Sequence, residues 1–192
     1  MARKSRNWVP GAFYHVFNRE NRRNMLFKDD DDYKKFLSLL DKSMFEYEFQ
    51  THAYCLMPNH YHLLVMMEER PLSQALKWLN GQYARYFNDR YEQNGHVFEH
   101  RFDAKPITDV MYMLNVSRYI HMNPVKAEIV SDPIEYKWSS YGAYVLPKDD
   151  SVINTKRIMG YFENNPDYYR QYVRQTLTED EESILSKLIE GE

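Results

Sequence analysis

Residues 49–67 read FQTHAYCLMPNHYHLLVMM and are the most informative run in the chain. Two apolar, aromatic-rich segments are separated only by Pro58 and Asn59, which favour a turn. The pattern predicts two antiparallel strands joined as a hairpin, with the turn at 57–59. An antiparallel sheet is therefore expected at the centre of the fold.

His60 and His62 open the second of these strands. Successive side chains on a strand point to opposite faces, so the two imidazoles share one face and Tyr61 lies on the other. Imidazole is a common ligand for divalent metals, and the pair is a candidate metal site. Histidines that are only structural are the alternative for this pair, because a His-x-His sequence also occurs by chance.

Strand-like and helix-like segments alternate along the rest of the chain. Strand composition is found in 13–19 and within 96–107, whereas helical spacing of apolar residues is found in 33–44, in 72–87, and from Thr108-Asp109 to about Asn123. We expect Pro124 to end that last helix. The order predicts an α+β fold: a ferredoxin-like split βαβ antiparallel sheet with helices on one face, plus an added C-terminal helix.

Two units are expected along the chain. Residues 1–130 carry the regular pattern and form the predicted main domain. Residues 131–192 are irregular, and we interpret them as an appendage that packs on the domain and ends in a short acidic helical tail.

The bulk composition is that of a globular protein. The 192 residues are 43% hydrophobic and 28% charged, and the single cysteine excludes an intramolecular disulfide. No stretch is long and apolar enough for a membrane span, so we expect a cytoplasmic protein with no membrane partner. The aromatic content of 16% exceeds what a core needs, and exposed rings suit stacking on unpaired bases.

The last predicted helix carries a candidate nucleophile. Tyr112, Val116, Tyr119 and Asn123 follow helical spacing and share one face. A phenol with a pKa near 10 is about 0.1% ionised at neutral pH, so nucleophilic use of Tyr119 needs roughly 4 kcal/mol of help. A metal held by His60 and His62 would polarise a scissile phosphate, and Asn123 is a plausible third oxygen ligand. The alternative for Tyr119 is an ordinary tyrosine at the edge of the core.

Four segments in order resemble a known family. Residues 57–64 (MPNHYHLL), 98–102 (FEHRF), 118–127 (RYIHMNPVKA) and 138–141 (WSSY) closely resemble the REP-associated tyrosine transposases, which belong with the single-tyrosine insertion-sequence transposases of the HUH endonuclease superfamily. The resemblance extends from about Phe13 and fails only in the last 45 or so residues.

The resemblance implies a ferredoxin-like nuclease fold and metal-dependent cleavage of single-stranded DNA next to hairpins or palindromic repeats. It further implies a covalent 5′-phosphotyrosine intermediate, a free 3′-hydroxyl, and either a monomer or a homodimer. His60 and His62 match the two HUH histidines, and Tyr119 matches the catalytic tyrosine. Asn123 falls where insertion-sequence relatives often carry a glutamine ligand.

Basic residues near these motifs are candidate phosphate contacts. They come from the first loop, from the segment after residue 98, and from the end of the last helix. We predict that DNA is bound by Arg19, Arg22, Arg23, Arg101, Lys105 and Lys126. His121 lies about 200° around the helix from Tyr119, and we expect it at the surface or in a capping role.

Three hypotheses follow from these features. The first is a DNA nicking and joining enzyme with Tyr119 as nucleophile and Mg²⁺ or Mn²⁺ at the histidines. The second is a noncatalytic module of ferredoxin-like fold that binds single-stranded nucleic acid. The third is a metallohydrolase that uses the histidine pair and a water. We favour the first. Only the first hypothesis requires Tyr119, since the binding module has no catalysis and the metallohydrolase would survive Tyr119→Phe.

Overall fold

A computed structural model describes residues 8–21, 24–147 and 150–175, together with positions 183 and 187. The strands are β1 (Phe13–Arg19), β2 (Phe49–Met57), β3 (His60–Met67) and β4 (Asp103–Pro106). The helices are α1 (Asp30–Tyr47), α2 (Leu72–Arg90), α3 (Val110–Lys126), α4 (Tyr141–Val145), α5 (Lys156–Met159) and α6 (Pro166–Arg174).

The four strands form one antiparallel sheet in the order β2-β3-β1-β4. Strands β2 and β3 are the predicted hairpin, with Met57 opposite His60. Each of the two βαβ units has a strand of the other unit inserted between its own strands, which is the ferredoxin-like arrangement. The predicted fold class is confirmed.

Helices α1 and α2 cover one face of the sheet. Their apolar side chains pack with Tyr61 and Leu63 of β3 in one core. The acidic run before α1 acts as predicted, since the Asp29 carboxylate accepts hydrogen bonds from the backbone N–H groups of Asp31 and Asp32. Because α1 and α2 both pack on this face, the opposite face of the sheet is open to α3.

Helix α3 lies against the other face and contacts β2 and β3. Asp109 caps it as expected, by accepting from the backbone N–H of Tyr112. The prediction that Pro124 ends the helix is wrong, because α3 continues to Lys126. Proline removes one backbone donor, but in the last turn the chain closes through other bonds, including Ala127 N–H to the Asn123 carbonyl at 3.0 Å.

The described part of the appendage, residues 131–147 and 150–175, packs on the same face as α3. Tyr141, Tyr144, Ile158 and Tyr169 are buried in a core shared with α3 and β2. The predicted acidic tail lies almost entirely outside the described residues, and the boundary at residue 130 stays a prediction. The appendage therefore forms the outer wall behind α3.

No helix in the described part of the chain combines the length and the apolar character needed to cross a membrane.

Candidate active site

His60, His62 and Tyr119 meet on the sheet face that α3 covers. The rings of His60 and His62 are nearly perpendicular, with centroids 4.9 Å apart. The Tyr119 ring meets the His62 ring edge-on at 5.5 Å. The structure thus brings together the predicted nucleophile and the predicted metal ligands within one chain.

His15 is a third histidine in this cluster, and the sequence analysis missed it. It lies on β1 opposite Leu64 of β3, so its side chain shares the face of His62. Its Nε2 is 3.0 Å from His62 Nδ1, the two rings are stacked, and the Tyr119 ring lies 6.1 Å away. The strand-like alternation of residues 13–19 places His15 on a defined face, but only the pairing of β1 with β3 shows what it contacts.

Burial keeps His62 neutral. Removal from water lowers the pKa of His62 well below its ordinary value, and the nearby charges of His60, His15 and Arg19 lower this pKa further. A neutral imidazole has a lone pair on one ring nitrogen, which is the form that binds a metal. His62 is therefore in the protonation state required of a ligand.

His60 is oriented by its neighbour in the hairpin turn. Its Nδ1 lies 2.6 Å from Asn59 Oδ1, and since that oxygen is an acceptor, Nδ1 carries the proton. The lone pair of a neutral His60 then resides on Nε2. An imidazole whose other nitrogen donates to an oxygen is the usual arrangement of a metal-bound histidine.

Asn123 supplies an amide one helical turn beyond Tyr119. It is buried, and its Nδ2 has no hydrogen-bond partner among the residues that the structure describes. The oxygen and nitrogen of an amide exchange places by a simple rotation, so the oxygen can turn to a ligand. Asn123 as a metal ligand stays a prediction.

The donor set of two imidazoles and one amide oxygen fits a divalent cation. Within the described ranges, no three His, Cys, Asp or Glu side chains are grouped so that they hold a metal. The Nε2 of His15 is engaged with His62 and is therefore not open to a metal. Asn123 stays the predicted third protein donor.

Three of the predicted DNA-binding cations lie on the same side of the sheet as this cluster. The Lys126 ammonium lies 5.6 Å from the centre of the Tyr119 ring, and Lys105 stands opposite His15 in the pairing of β1 with β4. Arg19 stands opposite His60 and forms an ion pair with Glu99 at 3.3 Å. These three cations therefore lie on the side of the sheet that carries the histidines.

The other predicted cations are placed differently. Arg101 is exposed on the segment before β4. Arg22 and Arg23 lie outside the described residues. Tyr61 faces away from the histidines, as predicted, and its hydroxyl donates to Asn80 Oδ1 at 2.9 Å.

Two residues that flank Tyr119 are anchored by the appendage. The Arg118 guanidinium donates to the carbonyls of Val173 and Gln175 at the end of α6. His121 is fully buried, with Nδ1 2.7 Å from the Tyr169 hydroxyl and Nε2 2.8 Å from Ser140 Oγ. Burial lowers the pKa of His121 to about 3. The expected surface role of His121 is wrong, because the appendage covers that side of α3.

A match to a sequence profile places this protein among the transposases, which are DNA-processing enzymes. The sequence profile of the IS200-like transposases matches residues 9–123, more than half of the chain. The chain belongs to the IS200-like transposase family.

Two relatives agree with this assignment. A Haemophilus influenzae protein named as a REP-associated tyrosine transposase is 29% identical over 135 residues, which are 62% of this chain and 76% of that protein. A solved REP-associated tyrosine transposase bound to a REP hairpin superimposes with a TM-score of 0.66 at 19% identity, over 80% of this chain and 98% of that one. The predicted resemblance to the REP-associated tyrosine transposases is confirmed.

Proposed function

We propose that this protein binds single-stranded DNA with a hairpin and cuts and rejoins it through a covalent bond to Tyr119. The observation that carries the proposal is the edge-on contact of Tyr119 with His62 at 5.5 Å. A tyrosine beside two candidate metal ligands is positioned for attack on a phosphate that the same site binds.

The reaction exchanges one phosphoester for another. The Tyr119 hydroxyl oxygen attacks the phosphorus in line, and the bond to the 3′-oxygen of the preceding nucleotide breaks. The phenolic proton is lost to solvent, and the leaving 3′-oxygen takes up a proton, so the products are a 5′-phosphotyrosine and a free 3′-hydroxyl. Attack by a 3′-hydroxyl on the phosphotyrosine reverses the exchange and joins strands, with no net change in the number of phosphodiesters.

The main obstacle to attack by Tyr119 is forming its negatively charged phenolate. At neutral pH the phenolate lies roughly 4 kcal/mol above the neutral phenol. A Mg²⁺ or Mn²⁺ ion held by His60, His62 and Asn123 would neutralise negative charge on the phosphate oxygens. Lys126 lies beside the Tyr119 ring, where its ammonium favours the phenolate and also attracts the phosphate.

Hairpin DNA is the proposed partner because a structural neighbour is a transposase bound to a REP hairpin. The surroundings of the site support a polyanionic ligand. Lys126 lies beside the Tyr119 ring, and Arg19 and Lys105 stand opposite His60 and His15 in the sheet. Three elements thus place a cation on the side of the sheet where the DNA backbone would cross.

The test is incubation with Mn²⁺ and labelled single-stranded hairpin DNAs, followed by a denaturing gel. We expect a protein–DNA adduct that chelator abolishes. Tyr119→Phe should abolish the adduct, whereas Tyr112→Phe, a change on the same helix, should keep it. Binding without adduct or cleavage would instead support the noncatalytic module, and cleavage that survives Tyr119→Phe would support a metallohydrolase.

A further inference from the structure

Glu20 is a buried carboxylate that the proposed cleavage chemistry does not use. It directly follows β1 and is only 8% exposed. Burial of a carboxylate is costly unless hydrogen-bond donors compensate for the lost water. The position of Glu20 therefore requires an explanation in the groups that it binds.

The Glu20 carboxylate holds a backbone group further along the chain. Its Oε2 accepts from the backbone N–H of Asn24 at 2.7 Å. Hydrogen bonds to a carboxylate are shorter and stronger than those between two neutral groups. This bond ties the start of segment 24–27 to the end of β1.

Glu20 and segment 24–27 together bind the hairpin turn between β2 and β3. The backbone N–H of Glu20 donates to the Asn59 carbonyl at 2.9 Å. The backbone N–H groups of Leu26 and Phe27 donate to the Pro58 carbonyl at 2.7 and 3.0 Å. Both carbonyls of Pro58-Asn59 are therefore bound, and we call Glu20 with residues 24–27 the turn clamp.

The two ends of segment 24–27 are held in different ways. Leu26 and Phe27 are fully buried in the core of α1 and α2, and the Tyr83 hydroxyl of α2 donates to the Leu26 carbonyl at 2.7 Å. Asn24 is exposed, so packing holds it less than it holds Leu26 and Phe27. The Glu20 carboxylate is placed to fix this exposed end.

The turn that is bound in this way orients a proposed metal ligand. Asn59 Oδ1 lies 2.6 Å from His60 Nδ1, which leaves the lone pair of a neutral His60 on Nε2. The position of that amide oxygen depends on the Asn59 backbone, and the Glu20 N–H binds the carbonyl of the same residue. A chain of contacts therefore runs from Glu20 through Asn59 to His60.

We propose that Glu20 is a positioning residue for the metal ligand His60. Its carboxylate holds the turn clamp on Pro58-Asn59, and the clamp keeps the Asn59 amide oxygen on His60 Nδ1. The proposal rests on His60 being a metal ligand, as in the proposed function. It adds to that function a residue that acts on the metal site through two others.

The first measurement is the affinity for Mn²⁺ without DNA, obtained from free Mn²⁺ by electron paramagnetic resonance. Glu20→Ala removes the acceptor and should weaken Mn²⁺ binding about 10- to 100-fold, the usual effect of losing a residue that orients a ligand. Glu20→Gln keeps an amide oxygen that accepts from the Asn24 N–H, and it should retain most of the affinity.

Asp150→Ala is the matched control for the loss of a carboxylate. Asp150 also accepts from a backbone N–H, that of Val152 at 2.9 Å, but it lies in the appendage. This variant should bind Mn²⁺ as the unmodified protein does. If Glu20→Ala fails to fold, Asn24→Pro removes the same hydrogen bond from its donor side at an exposed position and should give the same loss.

The second measurement is the tautomer of His60, obtained from NMR spectra of the ring nitrogens in ¹⁵N-labelled, metal-free protein. We expect Nδ1 to carry the proton in the unmodified protein and in Glu20→Gln, and a mixture of both tautomers in Glu20→Ala. A general loss of stability would not change the tautomer, because the spectra report on the folded protein.

A double-mutant cycle tests whether Glu20 acts through Asn59. Asn59→Ala removes the acceptor from His60 Nδ1 and should weaken Mn²⁺ binding by itself. In the Asn59→Ala background, Glu20→Ala should then cause no further loss. Losses that multiply in the double variant would overturn this route from Glu20 to His60.

An unchanged Mn²⁺ affinity and an unchanged His60 tautomer in Glu20→Ala would overturn the proposal, and so would equal losses in Glu20→Gln and Glu20→Ala. Adduct formation by the unmodified protein is measured separately on hairpin DNA. A Glu20-dependent tautomer in a protein that forms no adduct would support the positioning role while rejecting the proposed cleavage. The two failures are therefore distinguishable.

Discussion

The imidazoles of His15 and His62 are stacked and share a hydrogen bond, with His15 Nε2 3.0 Å from His62 Nδ1. One nitrogen has to donate and the other has to accept. If His62 Nδ1 is the donor, the lone pair of His62 lies on Nε2, where a metal ion can be bound. The neighbouring strand thus determines which nitrogen of the proposed ligand is available.

Replacing His15 by leucine should weaken Mn²⁺ binding about 10- to 100-fold, the usual effect of removing a residue that orients a ligand. His15→Gln should retain part of the affinity, because its amide oxygen accepts from His62. Free Mn²⁺ measured by electron paramagnetic resonance gives the affinity without reference to cleavage. Equal affinities for leucine, glutamine and histidine at position 15 would show that the contact only fills space.

Tyr119 should act on the metal site of its own chain. Its ring contacts His62 of the same chain, and α6 anchors Arg118 and His121 on either side of it. A mixture of Tyr119→Phe with a His60→Ala, His62→Ala double variant should therefore form no adduct on hairpin DNA. Adduct recovered in the mixture, with each variant alone inactive, would show that two chains share one site.

The Tyr169 hydroxyl should stabilise the fold through His121. Tyr169→Phe leaves His121 Nδ1 buried without this partner, and an unsatisfied buried polar atom costs about 1–3 kcal/mol. We expect the free energy of unfolding in urea to fall by that amount. Tyr168→Phe on the same helix is the control, since Tyr168 is 46% exposed, and a loss as large in this variant would contradict the assignment.

His52 should make the protein less stable in acid. Burial lowers the pKa of His52 from 6.5 to about 4, and its Nε2 has no hydrogen-bond partner in the part of the chain that the structure describes. The unfolded chain binds the proton first, so this stability is present above pH 6.5 and is lost as the pH falls toward 4. Each pKa unit corresponds to 1.36 kcal/mol, which gives a loss of about 3 kcal/mol.

Urea unfolding at a series of pH values tests this dependence, with His52→Gln as the comparison. The variant lacks the titrating ring, so its stability should fall less between pH 6.5 and 4. His62 and His121 also have lowered pKa values and add the same slope to both proteins. If the free energy of unfolding falls with pH by the same amount in both proteins, His52 does not contribute to the loss of stability in acid.

Local rules in the sequence predict much of the fold and the centre of the site. The hairpin turn at Pro58-Asn59 and the caps Asp29 and Asp109 depend on nearby residues, and the face shared by His60 and His62 follows from strand geometry. These features do not depend on distant contacts, which explains why pattern is sufficient to find them.

The features that sequence analysis missed depend on long-range packing. The partner of His15 is 47 positions away and is fixed by the register of two strands. His121 is polar and lies away from the Tyr119 face, yet it is buried against Ser140 and Tyr169 of the appendage. Neither contact leaves a local pattern, because each is set by how separate elements pair or cover one another.

Mass spectrometry of the trapped adduct tests the central claim most directly. The protein is incubated with hairpin DNA and Mn²⁺, the DNA is trimmed with nuclease, and the peptides are sequenced. We predict a nucleotide joined through its 5′-phosphate to Tyr119. A nucleotide on any other residue, or cleaved DNA with no modified peptide, would contradict the account.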